Sequence, residues 1–167
     1  MTIWKMNLSY KGNSNFAFCK ERNIIGHGWA LQKYKTTDYQ EYIELTKMEG
    51  VFYQNGKFDY ALQCAINGFL AMQSGDLVVL HDMQENFHIC IVVDEPVVNQ
   101  EDDFCKANVT CNRKVRFLPK VMTESELWEL GIVPKHCIAR HTMERMHTAD
   151  REDIEDYVKE HFPSYLS

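Results

Sequence analysis

Long apolar runs are missing from this sequence. No stretch approaches the roughly 20 residues that a membrane-crossing helix needs, and the opening MTIWKMNLSYKG has no apolar segment followed by a small-residue cleavage site. A cytoplasmic protein with no membrane contact is the expectation. Proline is scarce, at 4 of 167 residues, and there is no Pro-, Gly- or Ser-rich tract, low-complexity segment or internal repeat. Composition thus gives no sign of a linker or of extended disorder. The six cysteines (Cys19, Cys64, Cys90, Cys105, Cys111, Cys137) contain no CxxC pair and no dense disulfide pattern, so they are expected to be reduced and mostly buried.

Catalytic signatures are missing too. There is no GxSxG, P-loop or HExxH, and the acidic pairs Asp76 with Asp82 and Asp102 with Asp103 lack the lysine of a PD-(D/E)xK nuclease site. Cys105 with Cys111, His136 with Cys137, and His141 with His147 match no standard zinc spacing. The expectation is a protein that is not an enzyme and needs no metal or cofactor. A Cys–His dyad stays open, because its members need only meet in space.

What is present suits one well-buried domain over residues 1–167: hydrophobic residues are 45% of the chain and charged residues 25%. The net charge of −6 argues against indiscriminate coating of nucleic acid, which draws its affinity from phosphate neutralisation. The charge is uneven, however. ADREDIEDYVKEHF carries six acids, whereas NRKVRFLPK carries Arg113, Lys114, Arg116 and Lys120 and none.

Hydrophobic periodicity predicts a strand in TIWKMNL, a short helix in NFAFCKER capped by Asn13 or Ser14, and a strand in NIIGHGWAL. Gly26 and Gly28 in that strand imply a bulge or the close approach of another group. A helix follows Thr37, capped by Asp38, with Tyr42, Leu45 and Met48 on one face; a longer one spans about 58–72 on Leu62, Ala65, Ile66, Phe69 and Leu70. DLVVLHD and NFHICIVVDEP, joined by MQEN, read as a hairpin. An irregular acidic stretch, a basic strand NVTCNRKVRFLPK, a capping-box helix at Thr123 and Glu126, a last strand in HCIARHTM and a closing helix near 148–162 complete the chain. This order predicts an α+β fold with one curled, mixed and mainly antiparallel sheet and packed helices.

The series WK strand, helix, IIGHGW, two helices, SGDLVVLHD, second hairpin strand and RKVRFL strand resembles the EVE and YTH-like branch of the PUA superfamily. It is most similar to the modified-DNA-reading domains at the N-termini of McrB-type restriction proteins. The likeness runs from about Ile3 to Leu118 and lies in the order and spacing of the motifs. It implies a PUA-like domain that binds one modified base, flipped from its strand, in an aromatic pocket. Trp29 would be one wall of that pocket, with Gly26 and Gly28 leaving room for the base. Phe104 would be the second wall, where tryptophan is usual in the YTH branch, with Tyr53, Phe52 or Tyr10 as substitutes. Asn7 and Ser9 fall near the family's base-edge contacts, while Lys33, Lys35, Arg113, Arg116 and Lys120 are candidates for the backbone track. The implied partners are nucleic acid carrying a modified base and a nuclease or GTPase protein in a restriction system.

Each feature also has a structural reading. Trp29 and Phe104 could be core or a plug of the sheet edge, and the basic run could be a solvated strand face. Trp4 and Trp128 are expected in the core by their strand and helix phases. The competing function, favoured by the acidic total, is a PUA-like pocket that senses a free nucleotide or another small molecule.

Overall fold

The structure is a computed structural model that describes residues 1–10, 13–28, 36–48, 53–54, 57–58, 60–82, 84–140, 142–147 and 149–166; for residues 9–10, 13–14, 53–54, 58, 60–62 and 65 it describes the backbone only. Its strands are β1 (Ile3–Met6), β2 (Ser9–Tyr10), β3 (Asn13–Ser14), β4 (Ile24–His27), β5 (Tyr53–Gln54), β6 (Lys57–Phe58), β7 (Leu77–His81), β8 (Asn86–Val92), β9 (Val97–Val98), β10 (Cys111–Thr123) and β11 (Met143–Arg145). The helices are α1 (Phe16–Arg22), α2 (Tyr39–Met48), α3 (Tyr60–Ala71), α4 (Asp102–Lys106), α5 (Glu124–Glu129) and α6 (Asp150–His161), with short 3-10 turns at Pro134–Cys137 and Pro163–Tyr165.

The main sheet runs β11-β1-β7-β8-β10-β4, with β9 beside the start of β10. Among the described strand pairs only β1–β7 is parallel. The sheet is thus mixed, mainly antiparallel and curled into a half-barrel. The long strand β10 drives the curl. Its first residues pair with β4 and β9, its later ones with β8, and the register shifts between Phe117 and Val121, where a bulge bends the strand.

Apolar side chains leave both faces of the sheet. Trp4, Met6, Val78, Leu80, Cys90 and Val92 point to a core shared with α1, α2 and α3, whereas Ile3, Leu77, Val79, Phe87, Ile89 and Ile91 point to one shared with α5 and α6. Burial on two sides explains why LVVL and HICIVV read as continuous apolar runs. The hairpin, the capping box on α5 and the closing helix form as the sequence predicts. Trp4 is buried and donates its indole N–H to Asp76 at 3.0 Å. Asp76 also accepts from the backbone N–H groups of Thr2 and Gln73, joining the start of β1 to the turn before β7.

Several expectations shift. Asn13 and Ser14 form β3 instead of capping α1, whose first turn follows Asn15. Asp38 does cap α2, accepting from the Glu41 N–H at 2.6 Å, but the buried face is Tyr39, Tyr42, Ile43 and Thr46, and Met48 is 79% exposed. Leu70 of α3 is exposed as well. The acidic stretch after β8 contains β9 and α4, and the last strand begins at Met143, after the 3-10 turn that takes up His136 and Cys137. Trp128 is 59% exposed: α5 is barely two turns long and Leu127 alone of its residues fills the core.

Candidate functional site

The end of β4 is where the sequence places the recognition rim. A β-carbon at Gly28 would lie 2.1 Å from Thr110 Oγ1, and one at Gly26 2.9 Å from the Cys111 carbonyl oxygen. The close approach implied by the two glycines is therefore made by β10 and the residues leading into it, which corrects the expectation that the glycines leave room for a base. The same packing gathers three segments. The Asn99 N–H donates to the Thr110 carbonyl at 2.8 Å, and the Val98 N–H donates to the Thr37 carbonyl at 3.2 Å. Between them is an open cleft of about 740 Å³ lined by Thr36, Thr37 and residues 97–101. Its walls carry the Thr37 hydroxyl, the Thr36 hydroxyl engaged with Glu41 and the Asp38 N–H, the amides of Asn99 and Gln100, the Glu101 carboxylate and the apolar Val97 and Val98. Such a mix of apolar surface and a few polar groups is what a small-ligand site requires.

Beside this rim is a buried polar pair. His27 Nε2 lies 2.9 Å from the Tyr39 hydroxyl, and the imidazole meets Phe69 of α3 edge-on at 4.6 Å. Burial holds the His27 pKa down at about 3, so the ring is neutral, and it pushes the Tyr39 phenol upward.

The structure treats the expected site residues very differently. Trp29, Lys33, Lys35 and Phe52 lie outside the described residues, as do the side chains of Ser9, Tyr10 and Tyr53. Asn7 is exposed at the end of β1, its N–H bound to the Thr142 carbonyl at 2.9 Å. Phe104 on α4 meets Phe18 edge-on at 5.2 Å and packs on the core. The Arg22 guanidinium covers Phe18 at 3.8 Å and binds Asp103 at 3.2 Å. Phe104 is thus a plug beneath an ion pair, and the cage-wall reading of it is set aside.

The basic run is mostly engaged within the fold. Arg113 is fully buried, and its guanidinium donates to the carbonyls of Phe69 at 2.7 Å, Met72 at 2.8 Å and Asp94 at 2.9 Å. The last carbonyls of a helix have no partner within it, and here a planar fork supplies one. Arg113 therefore closes α3 and leaves the set of backbone candidates. Arg116 is exposed but donates to the Tyr165 carbonyl and lies over its ring at 5.3 Å. Lys120, also exposed, pairs with Glu126.

Two constellations escaped the sequence reading. In a second cleft, of about 680 Å³ between α1 and the β7–β8 turn, His88 Nε2 lies 2.9 Å from Asp82 and its Nδ1 3.5 Å from Lys20 Nζ. Burial lowers the His88 pKa against the pull of Asp82, so the ring is neutral, with a proton on Nε2 and a lone pair on Nδ1 toward the lysine. Burial acts to raise the Asp82 pKa but is outweighed by the hydrogen bonds from His88, Asn86 and Gln84, which set it at about 2. Asp82 also binds the backbone of Gln84 and Asn86, so it shapes the hairpin turn as well as the histidine. The signal in the sequence was Asp and His six apart across a hairpin. Pairing Asp82 with Asp76 hid it, since these two acids sit at opposite ends of β7. The second missed group, Arg140, Arg145 and His147, lines a groove between α3 and β11.

Nucleophilic chemistry by Cys19, Cys90, Cys111 and Cys137 is disfavoured. Burial raises Cys19 and Cys137 to about 12 and pushes Cys90 and Cys111 upward as well, leaving negligible thiolate. No protein-family model and no curated protein matches the chain, so its reading rests on these residues alone.

Proposed function

We propose that this protein is a non-enzymatic, PUA-like recognition module that takes a modified nucleobase, flipped from DNA, into the cleft at the end of β4. The observation that carries the reading is an open cleft in whose lining Val98 is bonded to Thr37 and Asn99 to Thr110, the residue that packs on Gly28. Hydroxyls and amides at the lip supply donors and acceptors for a base edge. The segment that joins Gly28 to Thr36 begins with Trp29, the proposed stacking wall. Stacking on an indole contributes about 1–3 kcal/mol per base, enough to offset much of the few kcal/mol lost when a base leaves its stack. The module would serve a nuclease or GTPase partner in a restriction system, and any cleavage would come from a nuclease.

A second reading, a pocket for a small molecule without phosphate such as a free nucleoside, is favoured over a nucleic-acid strand or a free nucleotide by one observation. Arg113 is buried, Arg116 and Lys120 are engaged, and Glu101, Asp102 and Asp103 are exposed beside the cleft, where they repel phosphates.

Titration with oligonucleotides carrying one modified base, with their unmodified counterparts and with free modified nucleosides, across a salt series, separates the two. The leading reading expects tighter binding of the modified strand, a steep salt slope, and loss of about tenfold or more in Trp29→Ala. Equal affinity for modified and unmodified strands overturns it. Tight, salt-insensitive binding of the nucleoside alone replaces it with the second reading.

A further inference from the structure

The expected phosphate track on β10 is largely unavailable, yet a basic surface exists at the other edge of the sheet. Between α3 and β11 runs a groove of about 640 Å³ lined by Trp4, Asn67, Gly68, Arg140, Arg145 and His147, among others. Gly68 lets the helix sit directly on β11: a β-carbon there would come within 2.4 Å of Met143 Sδ. Among the described residues the one acid in the lining, Glu144, is held by Lys5 at 3.3 Å and by Arg140 Nε at 3.5 Å. In the described lining Arg140 and Arg145 against Glu144 leave one positive charge, and Lys5, behind Glu144, adds a second. Arg140 is 84% exposed, and Arg145 is exposed and makes no ion pair among the described residues. Arg145 lies 5.1 Å over the Trp4 ring, which steadies the guanidinium on a buried base. In a chain of net charge −6, such an excess in one concave strip is the electrostatic footprint of an anion.

We propose that this groove binds the phosphodiester backbone of a single nucleic-acid strand, with Arg140 and Arg145 each meeting a phosphate and the Asn67 amide available to a sugar or phosphate oxygen. The inference deepens the base-reading proposal and rests on it for its biological sense. Consecutive residues of α3 link the two sites: Gly68 packs on β11, while Phe69 packs on His27 at the end of β4. Helix α3 thus connects the groove to the buried His27 beneath the end of β4, and a strand crossing over this helix would present a base to the cleft and its flanking phosphates to the groove.

The test is fluorescence anisotropy with an unmodified, end-labelled single-stranded oligonucleotide over a salt series. The proteins compared are the wild type, Arg140→Glu with Arg145→Glu, and a charge-matched control, Lys114→Glu with Lys135→Glu, whose residues are exposed and outside the groove. The groove variant is expected to bind about tenfold or more weakly at low salt and to flatten the log–log salt slope by about 1.4, two contacts at about 0.7 each for a single strand. The control should change far less. The milder Arg140→Gln with Arg145→Gln should follow the groove variant, and thermal melts should confirm that each variant folds. Equal losses in groove and control variants overturn the proposal. So does an absence of strand binding in the wild type, or equally tight binding of adenosine monophosphate or inorganic phosphate. Because the oligonucleotide is unmodified, failure here leaves nucleoside binding at the β4 cleft intact, while success with no preference for a modified base retains the groove and removes the base reading.

Discussion

Helix α3 lies between the two edges of the sheet, and the arginines beside it behave in opposite ways. Arg113, on the β4 side, is sealed from water with its fork on three backbone carbonyls. Arg145, on the β11 side, lies on an indole and opens to solvent. One completes a helix end while the other belongs to a charged surface. Charge in a sequence thus reports a role only once the carbonyls and carboxylates around it are known.

The sharpest way to break the contrast is to remove the buried member. Arg113→Ala should destabilise the protein by about 3–5 kcal/mol in urea unfolding, since it strands the carbonyls that a buried charge had satisfied. Arg113→Lys should recover only part of this, because an ammonium cannot reproduce the fork. Near-wild-type stability of Arg113→Ala would mean that water satisfies the end of α3.

A second comparison uses the two close approaches. Gly28→Ala should cost about 1–3 kcal/mol, because the added carbon meets Thr110 Oγ1 at 2.1 Å and its backbone nitrogen at 3.0 Å. Thr110→Ala in the same chain should restore part of the loss. Gly68→Ala should cost less, since its obstacle is the flexible Met143 side chain. Chemical-denaturation midpoints that reverse this order would show that the β11 edge is the more rigid.

The most graded effect, spread over several pH units, is expected with acid. His27 is held neutral when folded, with its pKa at about 3 against an ordinary 6.5, so the unfolded chain binds the proton first as the medium acidifies. Its contribution is complete above about pH 6.5 and is lost, by about 1.4 kcal/mol per pH unit, between there and about pH 3. The buried His88 adds in the same direction, because its pKa is also lowered. Melting of His27→Gln should show a shallower acid slope than the wild type; an unchanged slope assigns the acid sensitivity elsewhere.

Much of the fold was legible because local rules and tertiary packing agree along the hairpin, the capping box at Thr123 and Glu126, and the Ile154 and Val158 face of the last helix. The face of α2 was misread because both its tyrosines are core residues, so hydrophobicity alone rotated the buried side toward Met48. Trp128 failed for the opposite reason: too short a helix has no phase to trust. The candidate site was less legible. Whether Phe104 plugs an edge or walls a pocket depends on Phe18 and Arg22, some eighty positions away. Arg113 is separated from Phe69 by 44 positions, and no spacing rule reports a helix end that far off.

The bulge in β10 has a consequence for motion. The strand is laced to β4 and β9 over its first residues and to β8 on both sides of an interruption between Phe117 and Val121. Amide deuteration should therefore divide this one strand into two slow blocks around a faster centre. A guest at the β4 end would stiffen the first block and leave the second at its own pace.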